Sequence, residues 1–188
     1  MVIPILTRII TAAMKTRITT LQDALAFQLQ GLHYAETKVT EEFNSCRHHL
    51  TSSKLKAEIG RYMESAEDKI LKLERIFNYL MQESVSRKNA AINELLRETE
   101  QMLSIANSPH LKDILMISCI QNICAYKVSS YKTAYLFSVE LELDIVADLL
   151  QHILEWEIET GKVLGVLAIE EFNKIQESDK VQSRIVKQ

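Results

Sequence analysis

Glu36 falls in the rhythm 25, 29, 32, 36, 39, 43, whose other members are Leu25, Leu29, Leu32, Val39 and Phe43. At about 100° per residue these positions share one face of a helix, the face that a folded protein buries. Glu157 has the same standing among Val146, Leu150, Ile153, Thr160, Leu164 and Leu167, and Lys127 among Ile120, Cys124, Tyr131 and Ala134. Three apolar stripes thus each carry one ionisable residue near mid-helix. One such residue alone reads most simply as a stripe edge whose charged head reaches water. Three at matching depth point instead to a shared interior site, because an isolated buried charge is costly and is normally paired or bound to a metal.

Two chemistries fit inward-facing carboxylates. In the first they hold a pair of iron or manganese ions between the helices of a bundle, a site that draws on about four carboxylates and two histidines, the latter as Glu-x-x-His. No Glu-x-x-His occurs in the sequence, and its histidines are His33, His48, His49, His110 and His152. His33 precedes Glu36 by three residues and lies to the side of the stripe, His152 points away from the line through Glu157, and His48-His49 reads as a solvated cap closing a helix. In the second chemistry a lysine ammonium, with three donors, satisfies carboxylates that only accept. Lys127 can play that part between Glu36 and Glu157. It is a poor nucleophile or base there, since neighbouring carboxylates raise a lysine's pKa where such roles need it lowered. Neither Cys124 nor Ser129-Ser130 has a histidine in view to activate it. The four glycines are too scattered for a phosphate-binding loop. Tyr34, Tyr62, Tyr126, Tyr131 and Trp156 read as core and interface packing.

The elements that must position these residues are long helices. In 188 residues there are only four glycines and two prolines, with 47% hydrophobic and 25% charged residues, which suits one helical domain with a sizeable core. The first helix is expected from about Thr20 to His48, opened by Thr20 as N-cap with Asp23 in the first turn. The second is expected from about Ser53 to Ser84, burying Ile59, Met63, Ala66, Ile70, Leu73 and Phe77. A short helix follows at about 89–106. Ser108-Pro109 is a strong start signal for the third long helix, which runs to about Glu140, and the fourth covers about Leu143 to Glu177. Short connections between such helices give antiparallel neighbours. The domain expectation is an apolar arm at 1–18 (Val2, Ile3, Ile5, Leu6, Ile9 and Ile10), a bundle at 19–178 and a polar tail at 179–188 that frays.

Composition narrows the partners. A net charge of −3 gives no nucleic-acid footprint, and no apolar run reaches the roughly 18 residues of a membrane span. Cys46, Cys119 and Cys124 are odd in number and not spaced as C-x-x-C, which predicts reduced thiols and a cytoplasmic location. The apolar arm predicts docking at a subunit interface.

The stretches LQDALAFQLQGLHYAETKV, MESAEDKILKLERIF, AYKVSSYKTAY and LELDIVADLLQHILEWEIETGKVLGVLA, in that order and with a short helix between two helix pairs, resemble the YciF-type family of bacterial ferritin-like, stress-associated proteins. The likeness runs from about residue 20 to 170. It implies an all-α, ferritin-like antiparallel four-helix bundle with a short extra helix between the two pairs, a di-metal site, and pairing as a homodimer. It also makes departures visible. Glu36 and Glu157 match the family's first- and fourth-helix acids. The second helix has Ser65 and Lys69 where the family tends to carry an acid and a His or Gln. Lys127 follows Tyr126 where the family has an acid after its Tyr, and Gly161 stands where a further acid is frequent. The expectation is a structural or interaction protein without catalysis and without a cofactor. A buried cluster of Glu36, Lys69, Lys127 and Glu157 then replaces the metal site. The alternative is an iron- or manganese-binding oxidase or iron-handling protein with a degenerate site formed by Glu36, Glu64, Glu67 and Glu157.

Overall fold

The computed structural model describes residues 17–185, with side chains described as far as residue 174. The expected apolar arm therefore lies outside the described residues except for Arg17 and Ile18. Within them the chain forms α1 (Leu21–Cys46), one turn of 3-10 helix (Arg47–His49), α2 (Ser53–Tyr79), α3 (Ala90–Ile105), α4 (Pro109–Glu140) and α5 (Asp144–Ile185), with no strand among the described residues.

The starts of α1 to α4 each have a side-chain cap for the orphan N–H groups of the first turn. The Thr20 hydroxyl accepts from Asp23 N at 3.0 Å and the Asp23 carboxylate accepts from Thr20 N at 2.9 Å, a reciprocal capping box. Bonds from Thr19 and Thr20 hold the Asp23 carboxyl at about 2, below its ordinary 3.8. Ser52, Asn89 and Ser108 cap α2, α3 and α4 with a single bond each, their side chains accepting from Leu55, Ile92 and Leu111 N. The start of α2 has a second, distant support. Asp113 of α4, 1% exposed, accepts from Thr51 N (2.8 Å), Thr51 Oγ1 (2.5 Å) and Ser52 N (2.9 Å).

Two ends depart from the expected bounds. α2 stops at Tyr79 rather than near Ser84 because Met81 turns left-handed (φ 51) and the chain closes with Met81 N to Asn78 O and Gln82 N to Phe77 O. α4 ends on the same motif, with Glu142 at φ 56 and Leu143 N bonded to Ser138 O. α5 continues to Ile185, past the expected stop near Glu177, through a stretch that has no glycine or proline to end it.

α1, α2, α5 and α4 pack in that cyclic order into a ferritin-like four-helix bundle. All neighbours are antiparallel. One apolar cluster joins Phe43, Leu55, Ile117 and Leu164; the other joins Leu29, Leu73, Tyr131 and Ile153, so chain direction reverses from each helix to the next. α2 and α4 consequently run the same way on opposite corners, and the chain must travel back between them. α3 makes that return along α1 and α4. Its approach is fixed to α1: Arg87 N donates to Gln30 O (3.1 Å), the Arg87 guanidinium lies 3.6 Å from the Phe27 ring centroid, and Asn89 Nδ2 donates to Gly31 O (3.3 Å). A Cβ at position 31 would stand 2.6 Å from Arg87 Nη2, so a larger residue there would make the end of the arginine side chain shift.

The buried bonds at Asp113 predict that Asp113→Ala lowers stability by about 2–4 kcal/mol, with Asp113→Asn intermediate because an amide keeps one acceptor oxygen; urea melts would read it, and a neutral Asp113→Ala would show the cap to be dispensable. Glu142 is exposed, so Glu142→Gly is expected to raise stability by about 0.5–1 kcal/mol, the left-handed strain relieved less the added backbone entropy. An unchanged or lower midpoint would contradict this.

Candidate functional site: a buried charge layer

The two apolar clusters do not meet as one core. Between them lies a layer to which each bundle helix contributes one charged side chain: Glu36 from α1, Lys69 from α2, Lys127 from α4 and Glu157 from α5. All four are 0% exposed. Around the ring the signs alternate, so every acid has lysines on the neighbouring helices. Lys127 Nζ is 2.6 Å from Glu36 Oε2 and 2.7 Å from Glu157 Oε1, and Lys69 Nζ is 2.5 Å from the same Glu157 oxygen.

Two tyrosines complete the layer. Tyr131 Oη donates to Glu36 Oε1 at 2.7 Å, and Tyr62 Oη accepts from Lys127 at 2.8 Å. The Tyr62 ring also lies 4.8 Å from each ammonium, a cation–π contact on both. Lys127 thereby hydrogen-bonds Glu36 and Tyr62 and pairs with Glu157. Both oxygens of Glu36 are bonded, whereas Glu157 Oε2 has no hydrogen-bond partner among the described residues.

The charges tune one another. Burial alone pushes the Lys127 ammonium down, but the carboxylates of Glu157 and Glu36 outweigh it and leave its pKa above the ordinary 10.5. Burial pushes Glu157 up, and the ammoniums of Lys127 and Lys69 outweigh that and hold it below 4.5. Burial, followed by the carboxylates, raises Tyr62 and Tyr131 well above 10.0. Cys124 is pushed up to about 12 by burial and then by Glu157, so it stays a thiol.

The sequence had assigned α2 a stripe through Met63 and Ile70. Both are only half-buried, and the helix is rotated so that Tyr62 and Lys69 take the inner positions together with Ile59, Ala66, Leu73 and Ile76. Tyr62, read as packing, is a hydrogen-bond partner of the layer; its signal was the spacing 59, 62, 66, 69, 73, 76, which matches that of α1 and α5. Glu64 and Glu67 are exposed on α2 and do not join Glu36 and Glu157, because that rotation turns them outward. Ser65 is half-buried and bonds back to Tyr62 O at 2.8 Å. His48, His49, His110 and His152 are exposed, and His33 is half-buried with its ring against Phe77. Among the described residues no three His, Cys, Asp or Glu side chains converge as metal ligands would, and no described helix is long and apolar enough to cross a membrane.

Comparison with known proteins gives matches of similar extent. Residues 20–177 match the model of a domain of unknown function, DUF892. The protein YciF of Escherichia coli K12 is 23% identical over 160 residues, covering 85% of this chain and 96% of its own. The crystal structure of that Escherichia coli stress protein superposes with a TM-score of 0.80 at 22% identity, over 84% of this chain and 99% of the other. YcfI of Rhodopseudomonas palustris superposes with a TM-score of 0.79 at 22% identity, over 81% and 97%. The YciF-type resemblance read from the sequence agrees with these matches.

Removing one member strands the others. Lys127→Ala is expected to cost about 3–5 kcal/mol, as when one partner of a buried pair is lost; a near-neutral change in denaturant midpoint would mean the pairs contribute nothing. The pH dependence follows from the same shifts. Glu157 lies below 4.5 in the fold, so its contribution is present above that value and is lost as pH falls through its folded pKa. Lys127, Tyr62 and Tyr131 lie above their ordinary values, so their contribution is present below about pH 10 and is lost as pH rises through their folded pKa values. Wild-type stability should therefore be flat from about pH 5 to 10 with a fall on each side. A maximum confined to the acid side would contradict this.

Proposed function

The chain belongs to the DUF892 family, and on that footing we propose that it works without a metal, as a ferritin-like structural or interaction protein that pairs with a second copy of itself. In this reading Glu36, Lys69, Lys127 and Glu157 stand where related bundles hold metal ions. The observation that carries it is that the Lys127 ammonium contacts both interior carboxylates, at 2.6 and 2.7 Å, and the Lys69 ammonium contacts Glu157 at 2.5 Å. A metal pair needs several open carboxylate oxygens and histidine nitrogens. Here three of the four carboxylate oxygens are engaged by lysines and a tyrosine, the acids number two, and the fixed positive charge already balances them. These residues do not fit a di-metal centre.

Support for a role outside catalysis comes from the same accounting. Raised lysine and tyrosine pKa values make poor bases and nucleophiles at neutral pH. The relative YciF is named a stress protein, and we extend a stress-associated role to this chain. Free cysteines at 46, 119 and 124 suit a reducing compartment such as the cytoplasm. For self-association the support is the family together with the sequence of the arm, whose Val2, Ile3, Ile5, Leu6, Ile9 and Ile10 would be costly to leave in water.

Two measurements test the reading. Elemental analysis of the purified protein, before and after incubation with Fe(II) or Mn(II), should find well below one metal per chain and an unchanged melting temperature. Stoichiometric metal bound through Glu36 and Glu157 would overturn it in favour of an iron- or manganese-dependent oxidase. Sedimentation of the full chain should give a dimer, weakened when residues 1–18 are deleted, and monomers in both cases would refute the pairing.

A further inference from the structure

Glu157 Oε1 receives both Lys69 and Lys127, while Oε2, equally buried, receives nothing. An unpaired carboxylate oxygen inside a bundle is costly, and its surroundings define what satisfies it. Lys127 is already engaged by Glu36, Tyr62 and Glu157. Lys69 donates one hydrogen bond, to Glu157 Oε1, and otherwise faces the Tyr62 ring, so it retains donor capacity beside the same carboxylate. Just outside the layer runs a groove between α2 and α5, about 660 Å³ in volume, whose wall includes Tyr62, Ser65 and Thr160. Tyr62 belongs to the layer itself, and Thr160 lies one helical turn from Glu157.

The charges select the occupant. A cation at Oε2 would be held close to the Lys69 ammonium, which lies 2.5 Å from the other oxygen of the same carboxylate. An anion would face an uncompensated carboxylate oxygen and enter past Glu64, Asp68 and Glu159 of the groove. A neutral molecule that accepts from the ammonium and donates to the carboxylate meets neither penalty. We infer that the α2–α5 side of the charge layer is a binding site for one water molecule, accepting from Lys69 Nζ and donating to Glu157 Oε2, and supplied from the groove. A buried water with two or more polar partners is an ordinary structural element of proteins. The site makes the layer asymmetric: wet at Lys69 and Glu157, dry at Lys127 and Glu36.

This inference rests on the metal-free reading above, and its test separates the two. The wild-type full-length protein would be crystallised for a structure that orders interior waters, and water-to-ammonium cross-relaxation would be recorded by NMR on protein carrying ¹⁵N-lysine. The expected result is one water oxygen about 3 Å from both Lys69 Nζ and Glu157 Oε2, with a water cross-peak at the Lys69 ammonium and none at Lys127. A Glu157 Oε2 bonded to a protein donor, or a Lys69 ammonium without a water signal, would overturn the inference and leave the metal-free reading standing. A metal ion at Oε2 would overturn both.

Discussion

Four fully buried formal charges lie at the depth where α1, α2, α4 and α5 converge, and they cancel only if all four helices keep their places. An apolar core tolerates changes in which apolar side chains meet, as long as volume and patterning are conserved. A layer of two ammoniums and two carboxylates does not, because a displacement of one helix strands a charge in an apolar medium. The alternation of sign around the ring is equally restrictive: exchanging two adjacent helices would set like charges side by side. The interaction that contributes little net stability over an apolar alternative can therefore still fix register and neighbour choice.

Much else in the molecule serves that alignment. The Asp113 cap ties the start of α2 to α4, so two helices that are diagonal in the ring share a fixed reference. The Arg87 and Asn89 contacts seat the return segment on α1. The left-handed turns at Met81 and Glu142 end α2 and α4 sharply. On either side of the layer the two apolar clusters supply the burial that holds the bundle together.

Periodicity alone singled out Glu36, Lys127 and Glu157, since each interrupts an otherwise apolar stripe. Lys69 entered only through the family resemblance, and Tyr62 was taken for packing. The reason is physical. On α2 two adjacent faces compete, one through Met63 and Ile70 and one through Tyr62 and Lys69, and hydropathy favours the first because a lysine normally reaches water. The winning face is set by partners on α4 and α5 that lie more than 50 residues away in sequence. Helix starts were legible from Thr20, Ser108 and Pro109, whereas the end of α2 was not, because Met81 and not glycine takes the left-handed position. Asp113 looked like any polar helix residue, as its donors Thr51 and Ser52 come from a distant turn.

The central claim is that the four charges act as one set, each costly without the others and the set close to neutral as a whole. Replacing it entirely tests this most directly: the denaturant midpoint of Lys127→Met is compared with that of the quadruple variant Glu36→Leu, Lys69→Met, Lys127→Met, Glu157→Leu. The account predicts that the quadruple variant recovers most of what the single variant loses, and equals or exceeds wild type, because no charge is left unpaired. A quadruple variant less stable than the single one, in proportion to the residues changed, would show that the four contribute independently and would contradict it.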